Sequence, residues 1–260
     1  MMFANPTILA LDFDGVICDG LIEYFQVAWR TYCQVWSPTN QTPPDDLASR
    51  FYQLRPVIET GWEMPVLIKA LVIGYSNEKI LHEWANINQQ ILLEDKLQAK
   101  ELATKLDNLR DEWIATDLEG WLSLHRFYPG VVDKIKSIAS IMEVYIITTK
   151  QARFVQQLLQ KEGINFPKEA IFGKDVKRPK HEILRELMHR ENQDEVNIWF
   201  VEDRMKTLQL VQQQTDLDNV SLFLADWGYN TQAEREAAEN DSRIKLISLA
   251  QFARDFSDWE

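Results

Sequence analysis

The chain has 260 residues, of which 45% are hydrophobic and 26% are charged, a balance typical of one large globular domain or of a core domain with a smaller companion. Its formal net charge of −12 disfavours a general surface for nucleic acid or for anionic membranes, because both functions need a basic face. The same charge repels an anionic substrate at long range, so a site for one needs its own local cations.

The amino-terminal sequence and the cysteines predict a cytoplasmic protein. The first residues lack the basic segment of a signal peptide, and Asp12 interrupts their apolar run. No uncharged apolar stretch reaches the roughly 18–20 residues that a membrane helix needs. The two cysteines, Cys18 and Cys33, form no evident disulfide framework or metal motif, which is typical of a reducing compartment.

Short runs of β-branched and aromatic residues alternate with helical patterns along most of the chain. In chain order, the apolar runs predict buried strands at 7–11, 143–148, 196–201, 220–225 and, more weakly, 244–249. The patterns with helical spacing predict helices at 131–140, 151–162, 180–190, 204–214 and 231–240. This alternation indicates an α/β fold with a parallel sheet and helices on both faces.

The segment after the first strand differs from the rest, because it contains no convincing strand. Residues 21–36 form an amphipathic helical pattern, residues 37–46 a proline-rich loop, and residues 77–117 a long stretch with apolar positions at helical spacing. We therefore predict an all-helical domain at 20–125, inserted into a core domain made of 1–19 and 126–260.

Three predicted strands end in polar residues. The first ends at Asp12, with Asp14 just beyond it; the second ends at Thr148–Lys150, and the third at Glu202 and Asp203. In an open parallel sheet, ligands bind at the carboxyl ends of the strands, so these residues are expected to meet at one edge. Carboxylates from two strands can share a cation, and ligands that are all oxygen suit Mg²⁺. Glu202 and Asp203 can also act as helix N-cap residues, a role that is compatible with metal binding.

Gly15 follows Asp14 and permits backbone angles that a side chain forbids. A turn at this position can direct its amide groups toward an anion.

Four segments resemble the motifs of the haloacid dehalogenase-like (HAD) superfamily of hydrolases. "LDFDGVICD" resembles the first motif, "VYIITTK" the second, "RPKHEIL" the third and "IWFVEDRMKTL" the fourth. The first motif is fairly specific, and the order and spacing of all four carry the resemblance. It implies a Rossmann-like core with a helical cap domain of the C1 type, which corresponds to 20–125 here.

The resemblance also implies a role for each matched residue. Asp12 would be the nucleophile that forms an aspartyl-phosphate, and Asp14 the general acid and base. Thr148 would bind the transferring phosphoryl group, and Lys180 would stabilise its charge. Mg²⁺ would be held by Asp12, the backbone carbonyl of Asp14, and Asp203 with Glu202 nearby; Gly15, Thr149 and Lys150 are candidate substrate-binding residues.

Two positions leave alternatives open. The third motif offers Lys174, Lys177 and Lys180, of which Lys180 is preferred because it opens a helical pattern, with Lys177 second. The fourth motif lacks the further acid that the family often has, so either Glu202 or Asp203 is the direct metal ligand.

The sequence also predicts roles for Asp19 and for residues 226–229. Asp19 is expected to cap the helix that begins near Leu21, and residues 226–229 follow a strand end and are expected to line the mouth of the site.

The leading functional hypothesis is a Mg²⁺-dependent phosphatase that acts on a small phosphorylated metabolite. Asp14 disfavours the dehalogenase branch of the family, which lacks an acid at that position. The alternatives are a phosphosugar mutase of the same family, or a non-catalytic binding protein that retains the fold. The sequence identifies neither the substrate nor the oligomeric state.

Overall fold

The strand Ile8–Leu11 is fully buried at every side chain, which explains why its sequence is continuously apolar instead of alternating. The computed structural model of the protein describes residues 5–189 and 196–259. Within these residues the strands are β1 (Ile8–Leu11), β2 (Cys18–Asp19), β3 (Arg126–Phe127), β4 (Glu143–Ile147), β5 (Ile171–Phe172), β6 (Ile198–Glu202), β7 (Ser221–Ala225) and β8 (Ile244–Ile247).

Helices fill most of the remaining chain. They are α1 (Leu21–Trp36), α2 (Leu47–Leu54), α3 (Glu63–Val72), α4 (Asn77–Glu94), α5 (Ala99–Thr116), α6 (Leu118–Leu122), α7 (Val131–Ile138), α8 (Ala152–Lys161), α9 (Lys180–Met188), α10 (Met205–Gln212), α11 (Gln232–Glu239) and α12 (Leu249–Phe252). Among the residues that the structure describes, no helix has both the length and the apolar character needed to cross a membrane.

Six strands form one parallel sheet in the order β5-β4-β1-β6-β7-β8. The predicted α/β class is confirmed, and all five predicted strands are present. The first strand lies in the middle of the sheet, between β4 and β6. The sheet therefore places the three strands with polar ends side by side.

The predicted helices of the core agree with α7 to α11 to within a few residues. The last residue of the helix predicted at 180–190 lies outside the described residues. The long helical stretch predicted at 77–117 is two helices, α4 and α5, which are separated at residues 95–98. Lys96 has a left-handed backbone there, with a φ of 54°, which is incompatible with a continuous helix.

Contacts divide the chain into two compact units, one of residues 1–19 with 126–260 and one of residues 20–125. The second unit contains α1 to α6. Its interior includes a charged group: the Glu23 carboxylate is fully buried and accepts hydrogen bonds from Arg110 Nε at 2.7 Å and from Trp121 Nε1 at 3.1 Å. A buried carboxylate requires such partners, because it has lost its contact with water.

A short antiparallel pair of strands marks both ends of the helical unit in the chain. Cys18 of β2 pairs with Phe127 of β3, and Asp19 pairs with Arg126. The prediction that Asp19 caps α1 is wrong. The N-cap residue is Gly20, and the Asp19 carboxylate accepts a hydrogen bond from the Tyr229 hydroxyl at 2.9 Å instead.

Candidate active site

The register of the central strands brings three polar strand ends together. Leu11, the last residue of β1, pairs with Ile146 of β4 on one side and with Val201 of β6 on the other. The residues that follow therefore leave the sheet at the same edge. They are Asp12 after β1, Thr148 after β4, and Glu202 and Asp203 at the end of β6.

Asp12, Glu202 and Asp203 form a buried carboxylate cluster. Each offers a carboxylate oxygen that lies within 4.8 Å of the oxygens offered by the other two. Asp12 is 7% exposed, and Glu202 and Asp203 are each 1% exposed. Three buried carboxylates this close repel one another strongly, and the cluster therefore favours a bound cation. Oxygen ligands of this kind fit Mg²⁺, which binds through carboxylates and retains waters for a shared phosphate.

Burial also changes the proton affinity of the cluster. It raises the pKa of Asp12 to about 7 and the pKa of Glu202 to about 7, while Lys180 acts in the opposite direction on both. Burial and the nearby Asp12 raise the pKa of Asp203 to about 6. The cluster thus holds protons more strongly than exposed carboxyl groups do, because burial disfavours the charged forms.

Lys180 supplies the cation that contacts this cluster. It is the first residue of α9, and its Nζ lies 2.8 Å from Asp12 Oδ1 and 2.6 Å from Glu202 Oε2. Burial lowers the pKa of Lys180, but the two carboxylates outweigh burial and raise it, so the ammonium group stays charged. Lys174 and Lys177 instead are exposed and line a shallow pocket with Arg153. The structure thus brings the preferred lysine to Asp12.

Gly15 lies directly against Asp203. Its φ is 89°, and a Cβ added to it would lie 2.1 Å from Asp203 Oδ2. Its backbone N–H donates to Cys18 O at 2.9 Å, which closes the turn that follows β1. Glycine is therefore required here both by the backbone angle and by the contact.

Asp14 and Lys150 form an ion pair. Lys150 Nζ lies 3.1 Å from Asp14 Oδ1, and the two side chains are only 8% and 15% exposed. Lys150 also donates its backbone N–H to Thr148 Oγ1 at 3.1 Å. Thr148 is buried, whereas Thr149 is exposed. The structure thus gathers Asp14, Thr148 and Lys150 at the sheet edge.

The N-cap role that the sequence suggested for Glu202 and Asp203 is not the one that the structure shows. The N-cap residue of α10 is Arg204, whose side chain makes no capping hydrogen bond. Glu202 Oε1 accepts the backbone N–H of Arg204 at 3.1 Å, and Asp203 Oδ2 accepts the backbone N–H of Tyr229 at 2.7 Å. Both carboxylates are therefore fixed from the loop side of the sheet.

The contribution of Tyr229 to this cluster was not predicted. The sequence predicted only that residues 226–229 line the mouth of the site. The bond to Asp203 comes from the backbone N–H of Tyr229, which every residue except proline has, so no residue type indicates it. The strand ending before Asp226 is the one available indication, since it places this loop at the same sheet edge.

Comparison with protein families gives one match. Residues 67–213, more than half of the chain, match the family described as haloacid dehalogenase-like hydrolase. The match begins after Asp12, so it does not include the first strand. No curated protein matches the chain.

Solved structures share the fold over nearly the whole chain. A haloacid dehalogenase-like hydrolase from Streptococcus pneumoniae has 14% identity and a TM-score of 0.56, over 94% of this chain and 94% of that one. A predicted phosphatase from Clostridium acetobutylicum has 12% identity and a TM-score of 0.56, over 96% and 97%. A predicted phosphoglycolate phosphatase from Haemophilus somnus has 13% identity and a TM-score of 0.55, over 87% and 88%. At these identities the likeness concerns the fold alone.

Proposed function

This chain belongs to the haloacid dehalogenase-like hydrolase family, and from that premise we propose that it is a Mg²⁺-dependent phosphatase of a small phosphorylated metabolite. One observation carries the proposal. The buried Asp12 carboxylate contacts Lys180 Nζ at 2.8 Å and lies in a cluster with Glu202 and Asp203. This arrangement combines a nucleophile, a fixed cation and a set of oxygen ligands at one point.

In the proposed reaction, Asp12 attacks phosphorus with a side-chain oxygen while the bond from phosphorus to the leaving oxygen breaks. Asp14 gives its proton to the leaving oxygen. Asp14 then takes a proton from water, and the water oxygen attacks phosphorus and breaks the bond to Asp12. Phosphate leaves, and the Asp12 carboxylate and the Asp14 proton are restored. The nucleophile thus divides one difficult displacement into two easier ones.

Asp12, Glu202, Asp203 and the Asp14 backbone carbonyl would hold the divalent cation. When bound, Mg²⁺ neutralises negative charge that develops on the phosphoryl oxygens. Lys180 supplies further positive charge next to Asp12, which offsets the acidity of the whole protein locally. The donor set on this chain is compatible with either Glu202 or Asp203 as the closer ligand.

Thr148, Thr149, Gly15 and Lys150 are proposed to bind the substrate. Thr148 would donate its hydroxyl to the transferring phosphoryl group. The turn at Gly15 would offer it backbone amides other than that of Gly15 itself, which bonds Cys18 O. Lys150 already contacts Asp14 through its ammonium group, which has further N–H donors for a substrate anion.

We further propose that the helical unit of residues 20–125 acts as a cap, which admits small substrates to the site and excludes proteins. The phosphatase and phosphoglycolate phosphatase descriptions of the structural relatives support a small phosphorylated compound as the substrate class. The substrate of this chain is proposed at that level only.

The test is phosphate release from p-nitrophenyl phosphate and from a panel of phosphorylated metabolites, with and without Mg²⁺. We expect turnover that depends on Mg²⁺ and is lost in Asp12→Asn, because an amide is a much weaker nucleophile than a carboxylate. Asp133→Asn is the matched control, since Asp133 is an exposed aspartate in the same unit, and it should retain full activity.

Two results would contradict this function. Activity in Asp12→Asn equal to that of the unchanged protein would remove the nucleophile from the mechanism. Conversion of a sugar phosphate to its isomer without release of phosphate would identify a mutase that uses the same residues.

A further inference from the structure

The loop after β7, residues 226–230, contacts both the cluster and the turn that carries Asp14. Tyr229 donates its backbone N–H to Asp203 Oδ2 at 2.7 Å, and its hydroxyl donates to Asp19 Oδ1 at 2.9 Å. Trp227 donates its indole N–H to Val16 O at 3.1 Å. This loop, which we call the 226–230 loop, thus reaches Asp203 on one side and the turn of residues 13–19 on the other.

Gly228 shows how closely the loop packs against these partners. A Cβ added to Gly228 would lie 2.2 Å from Asp203 Cβ and 2.7 Å from the Gly15 carbonyl oxygen. Both distances are far shorter than any van der Waals contact, so only glycine fits at this position. The backbone of the loop is therefore in direct contact with Asp203 and with the turn.

Additional bonds fix the loop itself. Asn230, which is buried, donates from Nδ2 to Asp203 O at 3.0 Å and to Ala225 O at 2.7 Å. Tyr229 is 5% exposed. A loop with two buried residues whose polar groups are bonded in this way has little freedom to move, and it restrains the groups that it touches.

We propose that Trp227 and Tyr229 are positioning residues, which fix Asp203 and the 13–19 turn relative to each other and so set the affinity of the cluster for a divalent cation. The backbone N–H of Tyr229 restrains one oxygen of the Asp203 carboxylate. The two side chains restrain the turn at Val16 and at Asp19, on the segment that also carries Asp14 and Gly15. This inference rests on the proposed cation site.

Removal of one side-chain bond at a time tests the proposal. Tyr229→Phe deletes the hydroxyl that bonds Asp19 but keeps the backbone N–H, and Trp227→Phe deletes the indole N–H that bonds Val16. Tyr145→Phe is the matched control, because it deletes a hydroxyl that donates to Glu143 near the start of β4, at the other end of the strand from Thr148.

The binding of Mg²⁺ alone to the metal-free protein is measured by calorimetry, together with the kcat and KM for p-nitrophenyl phosphate and the melting temperature. We expect Tyr229→Phe and Trp227→Phe each to weaken Mg²⁺ binding by about three- to tenfold, the effect of one lost hydrogen bond. They should lower kcat more than they raise KM. Tyr145→Phe should leave the Mg²⁺ affinity and kcat unchanged even where it lowers the melting temperature.

Two outcomes overturn the inference and are distinguishable. If the unchanged protein binds Mg²⁺ and both variants bind it equally well, the 226–230 loop has only a structural role and the proposed function stands. If the unchanged protein does not bind Mg²⁺, the proposed cation site fails, and the positioning role fails with it.

Discussion

Gly15 combines two constraints that one comparison can separate. Its φ of 89° is costly for any side chain, and a Cβ would also meet Asp203 Oδ2 at 2.1 Å. Gly74 has a similar φ of 98° but nothing within 4 Å of an added Cβ. The two glycines therefore differ in the contact and share the backbone requirement.

Gly74→Ala is expected to lower the free energy of unfolding by about 1–2 kcal/mol, the cost of a left-handed backbone. Gly15→Ala should lower it by more and should also abolish Mg²⁺-dependent phosphate release, because Asp203 must move. Urea unfolding and the phosphatase assay measure the two effects. Equal stability losses, with activity retained in Gly15→Ala, would show that the contact with Asp203 has no consequence.

Lys180 and Lys177 are three residues apart, yet only Lys180 is placed against Asp12 and Glu202. Lys180→Gln is expected to reduce kcat for p-nitrophenyl phosphate by about 100-fold or more, as for the loss of one donor to a developing charge. Lys177→Gln is the control and should change kcat by less than about twofold. A larger loss in Lys177→Gln would assign the catalytic lysine to the other position.

At the scale of elements, the long apolar strands were predictable and the short ones were not. β1, β4, β6 and β7 are buried runs of four or five residues, so their composition alone predicts them. β2, β3 and β5 have two residues each, too few for any periodicity. They exist because tertiary structure supplies a partner strand.

The candidate site likewise has residues that the sequence predicts and contacts that it does not. Asp12, Thr148 and Asp203 could be predicted because parallel strands carry their ends to one edge. The use of Asp19 could not, because its partner Tyr229 lies 210 residues away in sequence and an aspartate before a helix resembles an N-cap. Neither the pairing of Lys150 with Asp14 nor the bond from Tyr229 to Asp203 has a local sequence signal.

A buried ion pair of Glu23 and Arg110 joins α1 to α5 in the 20–125 unit. The Glu23 side chain is 0% exposed, and Arg110 contacts it through Nε at 2.7 Å. Arg110→Met is expected to lower the free energy of unfolding by about 3–5 kcal/mol, because it leaves a buried carboxylate without its cation. Urea unfolding of the full chain measures this change.

The double variant Glu23→Gln with Arg110→Met is the control for that prediction. It removes both charges, and a glutamine can still accept the Trp121 indole N–H, so it should be more stable than Arg110→Met alone. If the double variant is the less stable of the two, the unpaired Glu23 carboxylate is not what destabilises Arg110→Met, and the prediction is wrong.

At the scale of the whole molecule, the chain has a net charge of −12 and contains a cluster of buried carboxylates. Any ligand that binds only the folded chain stabilises it by mass action. MgCl₂ should therefore raise the melting temperature, with a gain of about 2.7 kcal/mol when its concentration is 100 times the dissociation constant. Differential scanning calorimetry with and without about 10 mM MgCl₂ measures the shift in melting temperature.

NaCl at matched ionic strength separates specific binding from screening of the net charge. The increase in melting temperature should be absent when NaCl replaces MgCl₂. With MgCl₂ it should be smaller in Asp203→Asn, which removes the charge of one ligand. The same increase in Asp203→Asn would place the bound cation elsewhere.

The pairing of Cys18 with Phe127 and of Asp19 with Arg126 has a consequence for how this chain can diversify. The polypeptide leaves the core unit and re-enters it through paired strands, so the segment between them is expected to tolerate replacement as a module. Its length and contents can change over evolution, or in a chimera that splices in another module, while the threading of the six parallel strands stays the same.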